Sequence, residues 1–503
     1  MNRRKFIKLG GLASLPLILE SCKGKDISLE SDYPIKVESL HTIGHKLTSG
    51  FDFSRFPTEN LSTEILIVGG GIAGFSALTK CKGKDRILVE ASSKPGGTSS
   101  YATFKEIIFS QGAHYDVEYP NFYGEDVLKH LEELKIVRFD SILDKWEFVE
   151  KEYLIAPDKE SITYYEKRIV EDPLNITEKE KEFSALMKSY FGKLPLPTRL
   201  IPEELHHLNQ INFKEFLNQK GLNEELLSKS LDYQFIDDYG EGMEGVSALA
   251  GIHYFACRPY FDENPQTFSP PEGNYYFVRK MLQHNHDQQV LLNSFVYKIE
   301  KNKNEYQTYV WDEMEEKTRI ISSKKIIYTG KKHALKFIYP DLQFQHSIDY
   351  APWMVLNFVL PDIGISFTKN YWQNDVIGEP GFMGFVDSRA QFDVESSFRN
   401  ITAYYCLKKE ERKNLLEIFK DPKAIVESAR GIIEKYQGIR MNNIIEVQIK
   451  LMGHAMPIPR PGYLLQDLNE VKSDPDFIFA GVDNHRLPLL LDAMDSGLHI
   501  KID

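Results

Sequence analysis

Cysteine is scarce in this chain of 503 residues, with only Cys22, Cys81, Cys257 and Cys406 present. None stands in a C-x-x-C pair, so neither a zinc knuckle nor a redox dithiol is encoded, and no metal centre is expected. A basic surplus is also missing. The formal net charge is -12, and no basic run interleaves with aromatics after the first ten residues, which argues against a nucleic-acid partner needing a positive face. Beyond the N-terminus no apolar stretch is long enough to cross a bilayer, and internal repeats and low-complexity tracts are absent. What remains is the composition of a soluble globular protein, 42% hydrophobic and 27% charged. The length exceeds what one core supports, so two domains are expected.

The first residues read as an address. Arg3-Arg4-Lys5-Phe6 precedes the mostly apolar run Leu9 to Leu19, which is too short to span a membrane and suits a signal peptide. Arg3-Arg4, with Phe6 and Lys8 after it, resembles the twin-arginine export signal. Leu19-Glu20-Ser21-Cys22 resembles a bacterial lipobox, in which the cysteine is acylated after cleavage, although Glu20 is unusual there. The alternative is that Arg3-Arg4 is the positive start of a general secretory signal. The expectation is an exported bacterial protein, lipid-anchored through Cys22 to a membrane and facing the periplasm or the exterior. With Cys22 lipidated, three cysteines remain and at least one stays free, so no disulfide framework is expected.

The strongest motif lies just downstream. Thr63-Glu64-Ile65-Leu66-Ile67-Val68 is a short β-branched strand, Gly69-Gly70-Gly71-Ile72-Ala73-Gly74 follows as G-x-G-x-x-G, and Phe75 to Cys81 has helical composition. Arg86-Ile87-Leu88-Val89 is a second strand, closed by Glu90 about 20 residues beyond the first glycine. Gly69 suits the tight turn, Gly71 lets a pyrophosphate approach the backbone, and Gly74 lets helix and strand pack closely. Ile72 and Ala73 open the helix, whose N-terminus offers N–H groups to phosphate, and Glu90 is placed for a ribose hydroxyl.

The continuation Glu90-Ala91-Ser92-Ser93-Lys94-Pro95-Gly96-Gly97 resembles the FAD-binding amine oxidase and phytoene desaturase superfamily. That superfamily usually places Arg next, where this chain has Thr98. Further segments match in order. Gly112-Ala113 looks like the turn beside the flavin ring, Pro270 to Asn274 like the return to the FAD domain, and Val296 like the valine beside the adenine. Ala480-Gly481 with Asp495-Ser496-Gly497 looks like the pair that holds the ribityl chain and brings a helix end to the flavin. Val482 displaces the expected acid to Asp483. The resemblance covers the nucleotide domain well and the middle poorly.

The resemblance implies an α/β fold: a Rossmann-like FAD-binding domain interleaved with an α+β substrate domain, as in the amine oxidases. Residues 1–22 would be the signal peptide and 23–61 a tether. Residues 62–118, 270–335 and 440–503 would form the FAD domain, with 119–269 and 336–439 the substrate domain. Helices are expected at Glu178–Phe191, N-capped by Thr177, and at Glu410–Phe419, with strands at Trp353–Leu360 and Asn400–Leu407. FAD would be non-covalent, serving a small-molecule substrate and an electron acceptor that the sequence does not identify.

His454, in Gly453-His454-Ala455-Met456-Pro457, is the candidate catalytic residue, either exchanging a proton or held by backbone for packing. The lysine that amine oxidases commonly present to the flavin is missing from Trp353 to Phe358. Asp237, Asp238 and Tyr239 either bind a cationic substrate or shape a turn. Arg258 and Arg460 are read as surface ion pairs in preference to pocket cations. Oxidation of C–N or C–C bonds stands beside two alternatives, a non-catalytic flavin-fold binding lipoprotein and a desaturase or isomerase of apolar substrates.

Overall fold

Two sheets organise the chain. The computed structural model describes residues 33–112, 117–263, 266–342, 348–362, 371–391, 397–438, 440–465, 470–471 and 474–502. In the first sheet the order is Gln289–Leu291, Arg86–Val89, Thr58–Val68, Lys317–Tyr328, Glu305–Asp312, Ser294–Asn302, with Asp474–Phe479 also pairing with Lys317–Tyr328. Thr58–Val68 runs parallel to both of its neighbours. Its continuous apolar end, Ile65 to Val68, is what a strand covered on both faces requires. Helix Ile72–Lys80 follows it and packs on Leu490–Leu498, the last helix of the chain.

The second sheet is ordered Ile35–Ser39, Glu446–Pro457, Tyr350–Pro361, Phe398–Cys406, Phe382–Asp387, Gln373–Ile377, Ser161–Tyr165, Arg168–Val170. Its central strand Tyr350–Pro361 is buried along nearly its whole length. Helix Lys423–Gln437 covers part of one face, contributing Val426, Ala429 and Ile433 to a core shared with Met354, Leu356 and Phe358. The architecture is therefore α/β with a Rossmann-like sheet beside a second, mixed layer.

Several local expectations shift. Residues 23–61 were expected to be a tether, yet Ile35–Ser39 is an edge strand, in register from Ile35↔Val447 to Ser39↔Leu451. Ile35 and Val37 point into the core at 2% and 5% exposure while Lys36 faces out, the alternation of a half-buried strand. The first-sheet strand also begins early, at Thr58. Glu446–Pro457, expected within the FAD domain, belongs to the second sheet, where its two edges pair with Ile35–Ser39 and Tyr350–Pro361. Conversely Val127, Leu131, Phe148 and Phe268, expected in the substrate domain, share a core with Ile65, Ile67 and Phe75.

The helix expected at Glu178–Phe191 spans Glu180–Lys188, and Thr177 is not its N-cap. Its hydroxyl instead accepts from the Lys179 N–H at 3.1 Å and donates to Glu224. The Glu410–Phe419 helix is a 3₁₀ turn, Lys409–Lys413, followed by Asn414–Lys420. The strand expected at Trp353–Leu360 extends to Tyr350–Pro361, and the one expected at Asn400–Leu407 runs from Phe398 to Cys406.

Candidate active site

The glycine loop sets the first wall. The Gly69 N–H donates to Val89 O at 2.9 Å, and the Thr329 hydroxyl reaches both Val68 O and Gly69 O at 3.0 Å, so strand and turn are tied to the neighbouring strand. A side chain on Gly74 would strike the Gly69 carbonyl oxygen, so this glycine sets the close packing of helix on strand. Gly71 is different. The nearest atom to a Cβ placed there is Gly96 O at 3.8 Å, which leaves open space where helix Ile72–Lys80 begins without a side-chain cap. The N–H groups of that first turn lack intrahelical acceptors and lie beside this space.

Glu90 braces the loop from below. Its carboxylate accepts the Gly70 N–H at 2.7 Å and the Ser92 N–H at 2.8 Å. Burial pushes its carboxyl above the usual range, against the pull of those donors. Gly96 N donates to Gly70 O at 2.7 Å, and Gly112 packs so tightly on the Thr98 carbonyl that only glycine fits.

These groups open onto one cavity of about 1500 Å³. Of the residues singled out in the sequence, Gly69, Gly71, Ile72, Ala73, Glu90, Ala91, Gly96, Gly97, Thr98, Gly112, Val296, His454, Gly481 and Asp483 line it. Ala113 and Cys22 lie outside the described residues. Gly74 and Ser496 do not line the cavity. Ser496 accepts the Gly481 N–H at 2.8 Å and thereby fixes the turn that does.

The helix end expected at Asp495–Gly497 also lies elsewhere. Gly497 is pressed against Ala73 of the neighbouring helix, and Asp495 is ion-paired with Arg199 and Arg486, with His499 Nδ1 3.0 Å away. It is the N-terminal end of Leu490–Leu498 that meets the cavity, through Pro488 to Leu491.

Asp483 is engaged by protein. It accepts from the Lys332 N–H at 3.0 Å, from Lys331 Nζ at 3.3 Å and from the Tyr350 hydroxyl. His454 stacks on His333, with ring centroids 3.7 Å apart, and meets Tyr350 edge-on. Burial, together with the neighbouring His333, Arg412 and Lys331, pushes its pKa down to about 3. His333 is held near 4, mainly by burial. Both imidazoles are thus neutral around pH 7, and a base held that low takes up a proton poorly.

Asn357 lies at the centre of the buried strand where the lysine is missing. Its amide donates to Ser110 O at 3.0 Å, and its oxygen accepts from Asn400 at 2.9 Å and Thr402 at 2.7 Å. This network pins the turn leading to Gly112.

The same cavity is lined by Asp237, Asp238 and Tyr239, singled out in the sequence, and by Tyr233 and Asp375, which were not. Tyr233 and Asp237 share one face of helix Glu225–Tyr239, four residues apart, and both line the cavity with Asp238. The Tyr233 hydroxyl donates to Asp375 at 3.0 Å and also to Met383 O, tying that helix to the second sheet. Trp353 and Tyr404 from adjacent strands complete an aromatic wall. Arg258, expected as a surface ion pair, is instead a cavity residue with a side chain only 15% exposed; it donates to the Tyr260 hydroxyl and stands 4.0 Å from Glu118. Arg460 is the half-exposed ion pair expected of it, 2.7 Å from Asp349 and 3.3 Å from Glu241. Cys81, Cys257 and Cys406 are free and buried. Cys257 lies on the cavity wall, and burial pushes its thiol up to about 11.

Residues 67–131 match the family of NAD(P)-binding Rossmann-like domains. No curated protein sequence matches the chain. Among solved structures, a redesigned triple variant of putrescine oxidase superposes with a TM-score of 0.61 at 13% identity, over 88% of this chain and 98% of that one. Cyclohexylamine oxidase from Brevibacterium oxydans gives 0.58 at 12% identity, over 87% and 98%. The two-domain fold of the amine oxidases is thereby established for nearly the whole chain.

Proposed function

From that shared fold, we propose that the chain is an FAD-dependent oxidoreductase that oxidises a C–N bond of a small cationic molecule. The supporting observation is that a single cavity joins the Gly69–Gly74 cradle to a chamber walled by Asp237, Asp375, Trp353 and Tyr404. The cradle suits FAD. Open space lies over Gly71, helix N–H groups face it, and Val296 and Ala91 offer an apolar surface at the end where Glu90 closes the second strand. Bound FAD supplies a two-electron acceptor for the oxidation.

The rest falls to the protein's own residues. Carboxylates near aromatic faces favour a cation, by charge and by cation–π attraction. The negative end of helix Glu225–Tyr239 adds to the same field. The stacked His454 and His333 also line the cavity, as neutral rings. Among the structural neighbours are oxidases named for putrescine and cyclohexylamine, both cations near neutral pH, which supports an amine. A neighbour named for protoporphyrinogen oxidation superposes equally well, so apolar compounds belong in the test panel.

The test is anaerobic mixing of holoprotein with a panel of amines, neutral isosteres and apolar alkenes, following flavin bleaching. Bleaching by amines is the expected result; no bleaching by any compound would leave a binding protein, and bleaching by alkenes a desaturase. Asp237→Asn is expected to raise KM for the reactive amine about 10- to 100-fold, the loss of a charge-assisted contact, with kcat less affected. An unchanged KM would remove Asp237 from substrate recognition.

Export and lipid anchoring belong to the same proposal. They rest on Arg3-Arg4 and Cys22 in sequence, while no helix among the described residues is long and apolar enough to cross a membrane. Cys22→Ser is expected to move the protein out of the membrane fraction, as read by fractionation. Unchanged membrane association of a processed protein, its mass showing the signal peptide removed, would discard the anchor; a blocked precursor is the other outcome expected of a lipobox cysteine.

A further inference from the structure

Lys450 lies on strand Glu446–Pro457 of the second sheet, yet it reaches the loop that closes the dinucleotide cradle of the first. The residue is only 8% exposed. Its ammonium carries three donors, but its contacts are the Gly97 carbonyl at 3.4 Å and Glu38 at 3.4 Å. Both are long beside the roughly 2.7–2.9 Å of charge-assisted bonds.

Glu38 is itself closer to Lys94, at 3.1 Å, so two ammonium groups share one carboxylate. Glu90 lies within electrostatic reach of Lys450, but its oxygens are taken by the Gly70 and Ser92 N–H groups. Lys94, Glu38 and Lys450 all line the cavity beside Gly96, Gly97 and Thr98. A buried ammonium with only long contacts carries a desolvation cost that an incoming anion offsets.

We propose that Lys450, with Lys94 beside it, forms an anion subsite that takes the diphosphate of the dinucleotide, facing the N–H groups of helix Ile72–Lys80. The subsite rests on the flavin reading above. It assigns to the second sheet a direct part in holding a cofactor whose cradle is built by the first.

The experiment strips flavin from the full-length protein and titrates FAD, ADP and adenosine by calorimetry at several salt concentrations. Wild type is compared with Lys450→Gln, Lys450→Arg and Glu38→Gln. Lys450→Gln is expected to weaken FAD and ADP by about 10- to 100-fold while leaving adenosine unchanged, and to flatten the salt dependence. Lys450→Arg should recover most of the loss. Glu38→Gln should bind FAD as tightly as wild type or more tightly, since it removes the carboxylate that competes for both ammonium groups.

A purely structural ion pair would give a different result, with Glu38→Gln as harmful as Lys450→Gln. That outcome, an unchanged ADP affinity in Lys450→Gln, or equal losses for ADP and adenosine would overturn the subsite. A wild-type protein that binds no FAD would overturn the flavin reading and the subsite with it. FAD binding that Lys450→Gln leaves untouched would overturn the subsite alone.

Discussion

Gly71→Val protein is expected to fold, melt like flavin-stripped wild type, and emerge from purification colourless. The backbone at Gly71 has φ -85°, which any residue adopts, and the nearest atom to an added Cβ is 3.8 Å away. The first atom of the new side chain therefore meets the protein at no less than ordinary van der Waals distance. The space it fills is the open cavity at the start of helix Ile72–Lys80, where the pyrophosphate would approach the backbone. A steric cost of a few kcal/mol there lowers FAD affinity by at least about 100-fold. Flavin absorbance per protein, paired with a thermal melt, checks both halves. Full flavin occupancy in this variant would sink the assignment of the cradle.

Gly74→Ala, three residues along the same helix, should do the reverse and damage the protein itself. The added methyl meets the Gly69 carbonyl oxygen, which is already held by the Thr329 hydroxyl at 3.0 Å. The helix must move off the strand, and Gly497 of Leu490–Leu498 is packed on Ala73 behind it. Stability is expected to fall by about 3 kcal/mol, visible as an earlier denaturation midpoint with or without added FAD. A midpoint equal to wild type would show that helix and strand are not in obligatory contact. Together the two variants separate a glycine kept empty for a ligand from one kept small for packing.

How legible the site was depends on how local its parts are. Strand, glycine turn, helix and Glu90 lie within one stretch of chain, and each has a residue preference dictated by its own backbone, so the cradle is readable from the sequence. Tyr233, Asp375, Trp353, Arg258 and Lys450 come from five separate segments, and no spacing rule links them. Lys450 was invisible because its strand carries apolar residues on either side and belongs to a different sheet from the loop it serves. Asn357 had a signal, a polar residue within an otherwise apolar strand, but its meaning depends on Ser110, Asn400 and Thr402. Ser496 and Asp495–Gly497 were credited with ligand contacts because helix-packing and ligand-facing positions look alike on one short helix. Ile35–Ser39 was missed because five residues of alternation in a polar surround do not declare a strand until a partner is known.

That strand also has a temporal consequence. Ile35–Ser39 sits at the sheet edge with Glu446–Pro457 as its neighbour, and the Lys36–Glu446 contact joins residues 410 apart. On the ribosome the first of these segments emerges early and the second near the end, roughly 20 to 80 s later at ordinary rates of synthesis. Until then Ile35 and Val37 have no sheet to join, and Glu38 has no Lys450 to meet. The nascent chain can complete its glycine turn long before it can close the opposite wall, so cofactor capture is timed to the end of translation.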